Sequence, residues 1–308
     1  MKIGVVGVGA LGGYYGGLLH RAGAEVHLLL RSDYDTVRDN GIRIESDGES
    51  ITVRPHCHHQ PESIGECDLV LVCLKTTAND RYQELIGPLT GPGTAIVCLQ
   101  NGLGNCEQLA TLFNPEQILA GLCFVCLNRT APGVVEHQGF GRIVLGEFNR
   151  PARPRTHELA ALIEKAQVPC EVVDRLDEGL WGKLMWNIPF NGLGVAAAAG
   201  WDALQTGELP NEIGEPWATD RLLVDDRWEA EVRAIMAEII TAAAAQEMKV
   251  AGLQKQLDES KAKEMPTCDY DSGEVFDGSS CITPDGAEAP AAEAVEDISS
   301  DSSSSDSS

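Results

Sequence analysis

The chain has 308 residues, a formal net charge of −24 and 43 % hydrophobic residues. That length allows two domains with sizeable cores, and the acidity excludes general nucleic-acid binding, which needs a basic footprint. No apolar run approaches the ~18 residues needed to cross a bilayer, and no charged and apolar leader precedes the first strand, so a cytoplasmic location is the expectation.

Residues 1–17 read MKIGVVGVGALGGYYGG. Ile3, Val5 and Val6 form a short β-branched run, which predicts a buried strand. Gly7, Gly9 and Gly12 follow in G-x-G-x-x-G spacing, and a helical pattern begins at once with Leu11, Tyr15, Leu18 and Leu19 on one face. Strand, glycine turn and helix in that order suit a dinucleotide. Gly7 allows the tight turn, Gly9 lets a pyrophosphate reach the backbone, and Gly12 lets the helix pack on the strand. The loop residues Val8, Ala10 and Leu11 then offer backbone N–H groups at the helix start.

Residues 25–30 (EVHLLL) read as the second strand, and Arg31 and Ser32 follow it. A site for NADH would place Asp or Glu there to bond the ribose 2′-hydroxyl. A guanidinium suits a 2′-phosphate, so NADPH is favoured. The alternative reading has Arg31 in solvent and Asp33 on the ribose. Residues 42–45 and 51–53 flank a turn and predict a small hairpin. His56, Cys57, His58 and His59 invite a zinc reading. Adjacent residues converge poorly on one ion and no second ligand pair is spaced for it, so they are read as a solvated loop, with no metal expected.

Residues 68–74 (DLVLVCL) form a continuous apolar run, the mark of a parallel strand covered on both faces. It ends at Lys75, in the crevice where such sheets bind ligands. Residues 94–99 (TAIVCL) form the next strand and lead into Gln100, Asn101 and Gly102. The Asn101 amide can bond a carboxamide or a substrate oxygen; Asn-Gly is also a common turn pair. Further strands are expected from ILAGLCFVCL, VVEHQGF and GRIVLGE, with Gly133, Gly139 and Gly141 as turns. The pair Cys123 and Cys126 lies inside a strand and reads as packing. The ten cysteines as a whole read as small hydrophobes, not disulfides.

Pro151 and Pro154 mark a linker. A helix over 155–167 and a short strand over 170–173 follow, then a helical pattern from Leu176. Leu176, Leu180, Lys183, Leu184 and Asn187 fall on one face. An ammonium and an amide on an apolar face point to an active site between two domains; the plainer reading is a snorkelling lysine and a helix end before Pro189.

The segments KIGVVGVGALGG, Arg31, Lys75, LQNG at 99–102 and WGKLMWNIPFN at 181–191 together resemble the ketopantoate reductase (2-dehydropantoate 2-reductase) family. The resemblance runs from residue 1 to about residue 200. It implies NADPH-dependent reduction of 2-dehydropantoate, or a similar 2-keto acid, in pantothenate biosynthesis. By that resemblance Gly7, Gly9 and Gly12 hold the pyrophosphate and Arg31 the 2′-phosphate. Lys75 and Asn101 line the cofactor cleft, Lys183 is the general acid, and Asn187 and Asn191 orient the substrate. The expected fold class is α/β. A Rossmann-type doubly wound sheet over 1–150 is followed by a smaller, mostly α-helical substrate domain over 151–277 and an acidic, Ser-rich disordered tail over 278–308. That tail carries seven Asp or Glu and no Lys or Arg from residue 285 onward. The pattern departs from the family after Asn191, and Thr267 with Glu274 or Asp277 stand in for its substrate-gripping serine and glutamate. Two further readings therefore stand beside the first: a cofactor-binding protein with a degenerate substrate site, and an oxidoreductase acting on another keto acid. A homodimer is the expected assembly.

Overall fold

The computed structural model describes residues 1–46 and 48–245, together with the backbone of residues 275–276 and 281–282. The chain divides into two compact units, Met1–Glu264 and Met265–Ser308. In the second, Val275–Phe276 pairs antiparallel with Cys281–Ile282. The stand-in residues Thr267, Glu274 and Asp277 and the tail lie outside the described residues.

In the first unit, β1 (Lys2–Val6) leads into α1 (Ala10–Arg21) and β2 (Glu25–Leu29). Further along the chain come β6 (Leu69–Val72), β7 (Ala95–Cys98) and β8 (Ile118–Ala131), successive pairs of them joined by helices. Strands β2, β1, β6, β7 and β8 lie side by side in that order, all parallel. Their residues are apolar on both faces because helices cover both sides. Helix α1 and α5 (Pro154–Lys165) bury one face; α3 (Tyr82–Ile86), α4 (Asn105–Leu112) and the start of α6 (Leu176–Ala199) bury the other. The chain turns from one winding direction to the other between β1 and β6, and the crevice at such a switch point is where ligands bind.

The predicted hairpin is β3 (Ile42–Ser46) and β4 (Glu49–Val53), and it joins the same sheet. Between them and β6, residues His56–His58 form β5 at the sheet edge, parallel to β2. The solvated-loop reading of this histidine run is thus corrected. The His27 ring, nearly buried on β2, stacks on His56 and bonds His58 at 2.9 Å, which draws the segment into the ladder.

VVEHQGF and GRIVLGE are one strand, β9 (Val134–Glu147), and not two separated by turns. Gly133 is a turn residue with φ 69°, but Gly139 and Gly141 lie inside the strand. Phe124 pairs Arg142 while Val125 pairs Phe140, so Gly141 is an extra, unpaired residue. Gly141 has φ 135° and Phe140 φ 62°, a bulge that bends the ribbon. Two further register shifts follow towards the tip. The bent tip reaches β3, where Val134–His137 pairs with Arg43–Ser46. Beyond β9, α5 and β10 (Cys170–Val172) return to the sheet, β10 pairing with β9. Glu147 anchors this return. It is buried and accepts bonds from Arg155 Nε and Thr156 Oγ1, both at 2.8 Å.

Helix α6 runs through Pro189 instead of ending before it. Proline costs one backbone bond inside a helix, but Trp181, Met185, Pro189, Leu193 and Ala197 are buried along one side. With α7 (Trp201–Thr206), α8 (Thr219–Leu223) and α9 (Asp226–Ala244) this face builds a third core around Trp228. The molecule is thus mixed α/β, a large sheet followed by a helical region. Among the described residues no helix is long and apolar enough to cross a membrane.

Candidate active site

The glycine turn sits at the switch point. Gly7 has φ 98°, and a Cβ there would lie 2.6 Å from the Cys73 carbonyl carbon and the Leu74 nitrogen. The turn after β1 therefore presses on the end of β6, and only glycine fits. A Cβ on Gly12 would meet the Gly7 carbonyl oxygen at 2.4 Å. Gly9 differs: nothing lies within 4 Å of where its Cβ would be. Gly9 is the N-cap of α1, and no side chain caps the helix. Its first-turn N–H groups, from Ala10, Leu11 and Gly12, form a ready anion site. Two packed glycines around one open one make a cradle that fits a dinucleotide pyrophosphate. Val8, Ala10 and Leu11 are half-buried around it.

Arg31 and Lys75 project from the carboxyl ends of β2 and β6, both exposed. Arg31 has no hydrogen bond or ion pair among the described residues, so its guanidinium is available to an anion. Asp33 is not available in that way. It is buried and bonded by Ser32 Oγ and Arg129 Nη1, each at 2.8 Å.

Lys183, on α6, reaches back to the sheet. Its Nζ donates to Asn101 Oδ1 at 2.8 Å and to the Cys123 carbonyl at 2.7 Å, and lies 5.4 Å from the Phe124 ring centre. The asparagine follows β7 and the carbonyl belongs to β8, so one ammonium joins the helical region to two interior strands of the sheet. Burial lowers its pKa below the ordinary lysine range, only partly offset by Cys123. An ammonium held this way by neutral acceptors can both stabilise an alkoxide and give up a proton. Asn187 and Asn191 follow one and two turns along α6, half-buried and exposed, on the side of the helix that carries Lys183.

The loop that carries Asn101 is fixed by amides that sequence reading did not single out. Gln100 donates to Asn79 Oδ1 at 2.9 Å and accepts from Tyr82; Asn79 donates to Asn105 at 2.9 Å and to Gln108 at 3.1 Å. Asn105 in turn donates to the Asn101 carbonyl at 3.1 Å. Beside this loop is a cavity of about 420 Å³, lined by Gln100, Gly102, Arg150, Arg175 and Leu180 among others. It flanks the Lys183–Asn101 contact without containing it. Of the CxxC pair, Cys123 is buried as expected but Cys126 is exposed, because residues three apart on a strand face opposite sides. The eight described cysteines are all free thiols.

The family model for "Ketopantoate reductase PanE/ApbA" matches residues 3–150. A 2-dehydropantoate 2-reductase from a Nostoc species is 38 % identical over 220 residues, which cover 70 % of this chain and 69 % of that enzyme. Among solved structures, 2-dehydropantoate 2-reductase from Geobacter metallireducens GS-15 is 44 % identical with a TM-score of 0.73, covering 85 % of this chain and 83 % of that one. A D-mandelate dehydrogenase with NADH and anilino(oxo)acetate shares the fold at 18 % identity and a TM-score of 0.71, covering 85 % and 79 %. With this glycine cradle, this lysine–asparagine contact and these relatives, the chain belongs to the ketopantoate reductase PanE/ApbA family.

Proposed function

We propose that the protein reduces 2-dehydropantoate, or a closely similar branched 2-keto acid, to the 2-hydroxy acid with NADPH. The observation that carries this reading is the Lys183 ammonium, half-buried against β8 and hydrogen-bonded to Asn101. The relatives named 2-dehydropantoate 2-reductase supply the substrate class.

When bound, the nicotinamide supplies the hydride. The protein does the rest. The first-turn N–H groups after Gly9 hold the pyrophosphate, and Arg31 pairs with the 2′-phosphate, with Lys75 adding a second cation at the cleft. Lys183 holds a proton at Nζ and delivers it to the ketone oxygen as charge develops there. Asn101 keeps the ammonium aimed, and in exchange for that bond can accept from or donate to the substrate. Asn187 and Asn191 bond the substrate hydroxyl and carboxylate. A neutral amide pair suits an anionic substrate because it adds no second negative charge.

The direct test is purified full-length protein with NADPH and a panel of 2-keto acids, followed by nicotinamide absorbance. The expected result is oxidation of NADPH, fastest with 2-dehydropantoate. NADPH that binds but is not oxidised by any keto acid would overturn the reductase reading. A different preferred acid would overturn the substrate alone.

A further inference from the structure

We propose that Arg129 determines cofactor specificity by neutralising Asp33, which would otherwise stand unpaired beside the 2′-phosphate subsite. The proposal rests on the NADPH reading given above. Asp33 is two residues past Arg31, in the turn that follows β2 and at the N-cap of the next helix, within the stretch from which a carboxylate can read a ribose 2′-hydroxyl. A free carboxylate there rewards NADH and repels the dianionic 2′-phosphate of NADPH. The sequence around β2 is therefore ambiguous, since it offers a cation and an anion within three residues.

The ambiguity is resolved by a residue 96 positions away. Both Asp33 oxygens are occupied: Oδ1 accepts from Ser32 Oγ and Oδ2 from Arg129 Nη1, each at 2.8 Å. The Asp33 side chain is only 8 % exposed, whereas Arg129 is 44 % exposed. The carboxylate is thus largely covered, and its partner is the more exposed member of the pair. Arg129 is near the tip of β8 and reaches α2 (Tyr34–Asn40) because the β8–β9 ribbon bends. The tip itself is seated there. Gly133 packs against Val37, and its carbonyl accepts from the Arg43 N–H at 2.8 Å. Gly9, Asp33, Val37, Arg129 and Gly133 line one small hollow, which puts the ion pair on the wall of the phosphate cradle. The local net charge beside Arg31 changes from zero to +1 when Asp33 is paired in this way. Arg129 then acts through Asp33 and, by its exposed edge, adds to the positive field.

The experiment measures Kd for NADPH and NADH by fluorescence titration of wild type, Arg129→Met, Arg129→Lys, Arg129→Met/Asp33→Asn and Arg31→Ala, with thermal melts as a control. Arg129→Met is expected to weaken NADPH by about tenfold, the scale of one charge near a protein surface, and to change NADH by less than about threefold. Arg129→Lys keeps most of the preference. Adding Asp33→Asn to Arg129→Met restores NADPH, because the repelling charge is gone. Equal losses for both cofactors in Arg129→Met, or no restoration in the double variant, would overturn the proposal. If wild type binds NADH as tightly as NADPH, or Arg31→Ala leaves the preference intact, the NADPH reading itself fails. If Arg31→Ala abolishes the preference and Arg129→Met does not, only the role of Arg129 fails.

Discussion

Lys183→Met separates chemistry from architecture. The substitution keeps an unbranched apolar stem in the same space and removes only the ammonium. Two hydrogen bonds are lost, to Asn101 at 2.8 Å and to the Cys123 carbonyl at 2.7 Å. Asn101 is exposed and regains water, so the structural cost is about 1–2 kcal/mol, mostly from the half-covered carbonyl. A positioned general acid is worth roughly 10²–10⁴ in rate, or about 3–5 kcal/mol of barrier. Turnover should therefore fall by about a thousandfold, while the Kd for NADPH stays within about threefold and the fold survives. The pH profile adds a second readout. The acid must be protonated to act, so wild-type turnover is present below the Lys183 pKa and lost as pH rises through it. Burial lowers that pKa, so the alkaline limb falls below the ordinary lysine value of 10.5. The limb should vanish in Lys183→Met. Steady-state kinetics across pH decide it: near-wild-type turnover, or an alkaline limb that persists unchanged, removes Lys183 from proton transfer.

The two kinds of glycine should part company. Gly9→Ala is expected to fold normally, since its Cβ enters open space, yet to weaken cofactor binding by about tenfold or more; calorimetry and melting curves check both. Gly7→Ala should fail earlier, at folding, because a Cβ 2.6 Å from the Leu74 nitrogen is added at φ 98°; soluble, wild-type-like Gly7→Ala protein would contradict the packing argument. Arg155→Ala strands the buried Glu147 carboxylate and should cost on the order of 3 kcal/mol in urea titrations at neutral pH. Burial opposes ionisation of Glu147, but its bonds from Arg155 and Thr156 outweigh that and hold its pKa below the ordinary 4.5. Stability from this pair is thus full above that value and lost as pH falls through the depressed one. The difference between wild type and Arg155→Ala should therefore narrow in acid, and an acid-independent difference would refute the ionic account.

What could be read in the sequence was whatever is local. β1, the glycine turn and α1 declare themselves within twenty residues because turn geometry, strand burial and helix start are all set by near neighbours. On α6 the spacing groups Lys183 with Leu176, Leu180 and Leu184, whereas the fully buried side is Trp181, Met185, Pro189 and Leu193, and the face that carries Lys183 is half-buried. What misled was context. His56–His58 has no strand pattern of its own and becomes β5 only because β2 offers an open edge and His27 a ring to stack on. Gly139 and Gly141 look like turns, yet serve a bulge, since a glycine signals a positive φ but not what the chain does next. Pro189 looks like a helix end, and tertiary packing on the α9 side carries the helix past it. Arg129 left no local signal, because its meaning depends on a partner on another strand.

Both ends of the candidate cleft nevertheless depend on a single strand. β8 gives the Cys123 carbonyl to Lys183 and, six residues on, the Arg129 guanidinium to Asp33. A regular strand would carry those positions about 20 Å apart along a straight line, at roughly 3.3 Å per residue. Here two register shifts fall between them, after Phe124 and after Cys126. Each shift bends the ribbon, so the second half of β8 leaves the path set by β7 and crosses towards α2 above α1. The bulge residue Gly141 is held in this bend: the buried Tyr15 hydroxyl of α1 donates to its carbonyl at 3.1 Å. The helix proposed to hold the pyrophosphate thus also bonds the bend that carries Arg129 to Asp33. The proposed acid, phosphate cradle and specificity residue are then not three independent placements. Lys183 comes from α6, but its carbonyl partner and Arg129 both belong to one bent hairpin clamped onto one glycine-rich helix, and a change in either should be felt at both ends of the proposed cofactor site.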